Sequence, residues 1–196
     1  MSLFKKNAVE DFLLDTKLKN SDKKRIRNYI KETYPNISDY IDNVWPKNED
    51  NVCYVNVKNN DFKCQLIAVQ GEPLFFTSKD EKDSGDAKVD RRWIPTLKLL
   101  HQYPNIIKHQ QVDEGAIRFV LSGAHIMCPG LTSPGGNLAA SSPGEIVAIM
   151  AEGKSHAMAI GKMIMSSDDI RQQNKGHGIK NLHVLCDGLW FLEKLN

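Results

Sequence analysis

Apolar and polar positions change period several times along the chain, and each change marks a change of element. Between residues 21 and 34, Ile26, Tyr29, Ile30 and Thr33 recur at helical spacing behind Ser21, a fair N-cap. That spacing predicts a helix, which Pro35 stops. Ile37, Tyr40, Ile41 and Val44 repeat the pattern over a shorter stretch closed by Pro46. The period then falls to two. VCYVNV (52–57), CQLIAV (64–69) and PLFFT (73–77) read as strands, joined by the turn residues of NNDFK and by Gly71-Glu72. Phe75 and Phe76 are adjacent, so they point to opposite faces. One enters the core; the other is either exposed for a partner or covered by a second buried layer.

Residues 78–92 (SKDEKDSGDAKVDRR) are almost wholly polar, which predicts an exposed loop. Lys88, Arg91 and Arg92 make it a nucleic-acid contact in outline, diluted by its acidic residues. IPTLKLLHQY (94–103) predicts a helix with Pro95 in its first turn and Pro104 at its end. A boundary is expected there, dividing an N-terminal α/β domain (1–104) from a C-terminal domain (105–196). In the second half Asp113 caps a short helix whose buried face is Ala116, Ile117, Val120 and Leu121, with Gly123 as a left-handed C-terminal cap. HIMCPGL reads as a strand running into a Pro-Gly turn, and residues 145–151 and 156–165 read as strands. SSDDIRQQ predicts one or two helical turns, capped by Ser166 or Ser167, with Asp168 and Asp169 in the first. HVLCD and LWFLEKL read as two last strands joined across an Asp187-Gly188 hairpin. Short strands with two tiny helices suggest a small, closed or nearly closed β-barrel, and the whole chain is α+β.

Composition narrows the classes. The 196 residues are 41% hydrophobic and 26% charged, ordinary for a globular protein. No apolar run approaches the roughly 20 residues a membrane span needs. The N-terminus carries acidic residues inside its apolar stretch, so no signal peptide and no membrane are expected, and the location expected is cytoplasmic. A net charge of +2 neither proves nor excludes nucleic-acid binding, because a local basic patch decides that. Cys53, Cys64, Cys128 and Cys186 form no C-x-x-C pair and read as buried, reduced thiols. There is no H-E-x-x-H, P-loop or G-x-G-x-x-G, so no metal and no cofactor are expected. Cys128 before Pro129 invites a nucleophile reading with His125, His156 or His183 as base, but no protease or transferase motif surrounds them. The expectation is a protein that is not an enzyme.

The segment HQQVDEGAIRFVLSGAHIMCPGLTSPGG resembles the opening of a PUA domain, an RNA-binding pseudobarrel. FVLSGAHIMCPGLTSPG, IVAIMAEGK and NKGHGI-NLH-DGLW together resemble the malignant-T-cell-amplified-sequence family of translation factors. The likeness extends through PTLKLLHQYP, GEPLFF and YPNISDYIDNVWPK, nearly the whole chain. It implies an N-terminal α/β domain with a small sheet followed by a C-terminal PUA pseudobarrel. It also implies a heterodimer with a density-regulated-protein-like SUI1-domain protein, binding to the small ribosomal subunit and P-site tRNA, and a role in reinitiation and recycling. Two segments depart from the family pattern: residues 78–92 are longer, and LAASSPG (138–144) differs.

An RNA surface needs close backbone approach, a slot or platform for a base, and cations for phosphate. Gly123, Ala124 and His125 form one group: Gly123 permits close approach, although capping alone would account for it, and His125 is either a stacking ring or a structural one. Cys128, Pro129 and Gly130 form the second, a tight turn with exposed backbone groups. Lys162, Lys175, His177 and Gly178 form the third, with Lys154, Arg171 and Lys180 adding charge nearby. The alternative reading is an accessory RNA-binding module of an RNA-modifying enzyme.

Overall fold

The computed structural model describes residues 3–4, 12–57, 64–77 and 92–195, which build two five-stranded sheets. The first runs β1 (Phe12–Lys17), β2 (Val52–Val57), β3 (Cys64–Val69), β4 (Glu72–Phe76) and β5 (Ile94–Pro95), each antiparallel to the next. The central strand β3 is buried along its length, as expected of a strand covered on both faces. Helix α1 (Asn20–Thr33) contributes Ile26 and Ile30 to the same core. It starts one residue before the expected cap: Lys19 holds the N-cap position, without a side-chain hydrogen bond, and Ser21 lies in the first turn. The next apolar stretch splits into a 3₁₀ turn (Pro35–Ile37) and a single turn, α2 (Ile41–Val44).

Two expectations in this half are corrected. Strand β1 was not anticipated. The helix expected from residue 94 starts later, because Ile94 precedes a proline and is pushed to extended backbone. Ile94–Pro95 therefore pairs with β4, Thr96 accepts the Leu99 N–H as N-cap, and α3 is Leu97–Gln102. The NNDFK turn and residues 78–91 lie outside the described residues, Lys88 and Arg91 with them.

The second sheet runs β6 (His109–Val112), β8 (Ile146–Ala151), β9 (Ala159–Met163), β10 (His177–Val184) and β7 (Ile126–Met127). β6 was not expected as a strand; it pairs parallel to β8, and the other pairs are antiparallel. The sheet is a curled half-barrel. Its edges are tied by the Asp113 N–H donating to the Gly130 carbonyl at 2.9 Å and by a Gln111–Asn137 bridge. Helix α4 (Glu114–Leu121) has the expected cap, with the Asp113 side chain accepting the Ala116 N–H at 2.9 Å. Helix α6 (Ser167–Gln173) is capped by Ser166.

Three more expectations change here. The strand expected over 156–165 shortens to β9. Past Ile126–Met127, CPGLT forms a helical turn, α5 (Cys128–Thr132), because Pro129 fits the first turn of a helix. The Asp187-Gly188 hairpin is instead a helix start. Asp187 accepts the Leu189 and Trp190 N–H groups, so LWF enters α7 (Gly188–Phe191) rather than a strand.

The two halves share a core. Along β8, Ile146 and Ala148 join a cluster with the first sheet, whereas Val147 and Ile149 feed a smaller core beneath α4, α5 and α6. Phe75 and Phe76 are both fully buried, which settles the alternatives for that pair. Phe76 meets Phe4 and His183 edge-on at 5.5 and 5.8 Å, the second buried layer, formed by the C-terminal half.

Candidate nucleic-acid interface

The expected site residues fall into a buried scaffold and an exposed rim. Gly123 has φ +88°, its N–H bonds the Val120 carbonyl, and the Ala124 N–H bonds the Phe119 carbonyl at 3.1 Å. That is a Schellman closure of α4, which requires the left-handed region and so favours glycine. Ala124 is half-buried, and its carbonyl accepts from the Asn181 side-chain amide at 3.0 Å. The same amide donates to the Val120 carbonyl at 3.2 Å. The Asn181 backbone N–H donates to His125 Nδ1 at 3.1 Å. Asn181 thus fixes both the helix end and the ring of His125. It was missed in the sequence, although an amide at an interior position of an apolar strand is the signal that could have found it.

His125 Nδ1 accepts that hydrogen bond, so the ring is neutral in this arrangement. Burial lowers its pKa, and the neighbouring His177 and Lys180 add to the effect. His125 and His177 rings meet edge to face at 5.6 Å and 86°. His177 is exposed and pairs with Met127, which is 53% exposed. Phe119, 53% exposed with Arg118 over its ring, is a second surface apolar residue that the sequence pattern did not single out.

Cys128, Gly130 and Gly178 lie below this surface, which corrects the expected exposed turn. The Cys128 side chain is fully buried, its Sγ donates to the Lys175 carbonyl at 3.3 Å, and burial pushes its thiol pKa up. A nucleophile needs the opposite. Its N–H donates to the Gly176 carbonyl, and Thr132 donates to the Asn174 side chain, so the 174–176 turn is pinned to α5. A Cβ on Gly130 would sit 3.1 Å from that of Ala116. On Gly178 it would meet Ile170 at 2.8 Å. Pro129 is half-buried, with its carbonyl accepting from the Ser133 hydroxyl at 2.6 Å.

Lys175 is exposed on that pinned turn. Lys162 is half-buried on β9, directly opposite Lys180 of β10. Arg171 is engaged elsewhere, donating to the Leu138 carbonyl at 2.6 Å and to Asp168. Segment 138–144 is tied down as well, by Gln110 to Ala139 and Ser141 and by Lys108 to Ala140. His183 is buried against Asp187 at 2.8 Å, and His156 sits beside Ser155, so neither serves Cys128. The four cysteines are free thiols: two are buried, Cys53 is half-buried and Cys186 is exposed, which corrects the expectation that all four are buried. Among the described residues no cluster of three or more His, Cys, Asp or Glu could hold a metal, and no helix is long and apolar enough to cross a membrane.

The half-barrel bearing these residues defines the class: residues 108–185 match the PUA domain family, and residues 8–104 match the Pre-PUA-like domain family. The fold is similar to that of a PUA domain from Aeropyrum pernix (TM-score 0.66, 22% identity, 92% and 91% of the two chains) and of a hypothetical protein from Pyrococcus horikoshii (TM-score 0.63, 21% identity, 89% and 96%). Sequence relatives are closer. The chain is 43% identical over 189 residues to malignant T-cell-amplified sequence 1 homolog of Drosophila melanogaster, covering 96% of this chain and 97% of that one. To malignant T-cell-amplified sequence 1-B of Xenopus laevis it is 54% identical over 129 residues, 66% of each chain. The chain belongs to the malignant T-cell-amplified sequence family.

Proposed function

We propose that this chain is an RNA-binding translation factor. In this reading it acts in the cytoplasm on the small ribosomal subunit and P-site tRNA during reinitiation and recycling, as a heterodimer with a SUI1-domain protein. Family membership supports the translational role. The observation that carries the RNA surface is the rim around the α4 cap. The His125–His177 ring pair offers a base platform; Lys180 lies near His125 and opposite Lys162 of β9, and exposed Lys175 precedes His177 by two residues. Cys128, Gly130 and Gly178 hold the rim from below. Catalysis has no group to perform it at Cys128, whose thiol is buried and kept protonated.

Sedimentation of native lysate tests the role. Co-migration with free small subunits, and co-purification of a SUI1-domain protein, are the expected results. The alternative reading, an accessory module of an RNA-modifying enzyme, predicts co-migration with that enzyme and absence from the subunit fractions.

A further inference from the structure

Helix α1 carries five cations, and the fold treats them in two ways. Lys23 and Arg27 are tied down. The Lys23 ammonium donates to the Glu49 carbonyl at 2.9 Å and lies 3.7 Å from the Asp50 carboxylate, and Arg27 donates to the Trp45 carbonyl and to Asp42. Lys24, Arg25 and Lys31 are exposed, and among the described residues the side chain of each is without a hydrogen bond or ion pair.

Helical geometry gathers these three on one face. Lys24, Asn28 and Lys31 follow one another at four and three residues, a single stripe along the exposed side, and Ser21 and Arg25 flank it. Lys24 and Lys31 stand about 10.5 Å apart along the axis. A solvated helix face ordinarily sets acids three or four residues from its bases, where they stabilise the helix. Lys24 and Lys31 have no acid at either spacing, and Arg25 makes no ion pair with Asp22, three residues before it. Lys31, in the last turn, suits the helix dipole, but it also stands four residues after Arg27, a like-charge spacing that destabilises. Lys24 and Arg25 gain nothing from the dipole. Local stability therefore does not account for the arrangement.

The chemistry of this face selects its occupant. The apolar side of α1 is already used, since Ile26 and Ile30 are fully buried in the core, so the helix has nothing to insert into a lipid surface. The exposed stripe holds no aromatic residue, and Tyr29 is half-buried against the core, so a single strand finds no ring to stack on. A duplex needs none. The minor groove of double-helical RNA is wide and shallow and is recognised through phosphates and 2′-hydroxyls. The three cations suit the first, and the Ser21 hydroxyl and Asn28 amide suit the second.

We propose that α1 is a second RNA-binding surface of this chain, one that takes double-helical RNA, with Lys24, Arg25 and Lys31 on its phosphates and Ser21 and Asn28 on its 2′-hydroxyls. This rests on the RNA-binding reading above and divides the work: the His125–His177 rim takes unpaired bases, and the N-terminal half takes duplex.

The test is fluorescence anisotropy with the full chain, a labelled RNA duplex of about 16 base pairs and a labelled oligouridylate of about twelve nucleotides, read over a salt titration. Lys24→Gln, Arg25→Gln and Lys31→Gln are combined in one variant; all three side chains are exposed, and a thermal melt confirms folding. The variant binds the duplex about tenfold more weakly, with a salt slope lower by about 0.9 for each cation engaged, and binds the oligouridylate as the wild type does. Unchanged duplex affinity in the variant, or equal loss on both RNAs, overturns α1 as the duplex surface while the RNA reading stands. A wild-type chain that binds the oligouridylate but not the duplex does the same, and one that binds neither at low salt overturns both. Displacement of the labelled duplex by polyglutamate of matched charge as readily as by unlabelled duplex overturns RNA as the occupant in favour of an acidic protein.

Discussion

Cys128 and Cys186 differ in what surrounds them. The first is fully buried, its thiol donating to a backbone carbonyl, and burial raises its pKa; the second is exposed on a backbone with φ +68°. Iodoacetamide at mildly alkaline pH is therefore expected to modify Cys186 and to leave Cys128 unmodified until the chain unfolds, as read by peptide mass spectrometry. Rapid labelling of Cys128 in the folded chain would contradict its assignment as a packing residue. His125 makes a pH prediction. Its folded pKa is depressed, so the neutral form is the one the fold favours, and that stabilisation is present above the ordinary histidine value of about 6.5. As pH falls below that value, the unfolded chain takes up a proton that the folded ring, with Nδ1 accepting the Asn181 N–H, resists, and stability declines. A His125→Phe variant should show a shallower decline in melting temperature between neutral and mildly acid buffer. Gly123 at φ +88° closes α4, and Gly123→Ala should cost about 1–2 kcal/mol, or about 2–4 °C in Tm for each kcal/mol lost.

At the scale of elements, the parts of the chain with clean periodicity and local caps were legible. The caps at Asp113 and Ser166 follow from side chains that accept nearby N–H groups, and the left-handed Gly123 follows from its lack of a Cβ. Strands β1 and β6 were not, because their residues belong to sheet edges whose pairing is set by distant partners. The C-terminal hairpin failed for a different reason: Asp-Gly is as good a helix start as a turn, and the buried Asp187 carboxylate satisfies three N–H groups and His183 at once. The site was legible as residue types around the cap. The split into buried scaffold and exposed rim was not, because it depends on α5 and the 174–176 turn packing together. Asp187→Ala removes the α7 cap and leaves His183 and several donors without their acceptor. It should destabilise the protein by about 3 kcal/mol or more, measured by urea denaturation; a loss below about 1 kcal/mol would deny this carboxylate its organising role.

For the whole molecule, the decisive feature is the core that crosses between the halves. Ile146, Ile160 and Leu182 of the second sheet pack in one cluster with Phe75, Phe76 and Trp93 of the first half. Thermal unfolding of the full chain should therefore be a single transition, and Phe76→Ala should lower it by about 3–5 kcal/mol for both halves together. Two separated transitions would show that the halves fold independently. The central claim, that this family member binds RNA through the rim around the α4 cap, is tested most directly by RNA affinity against salt for the wild type and for Lys162→Glu with Lys175→Glu. The account predicts an unaltered melt, weaker binding, and a salt slope reduced by about 0.7 for each lysine replaced. A variant with wild-type affinity and slope would contradict it.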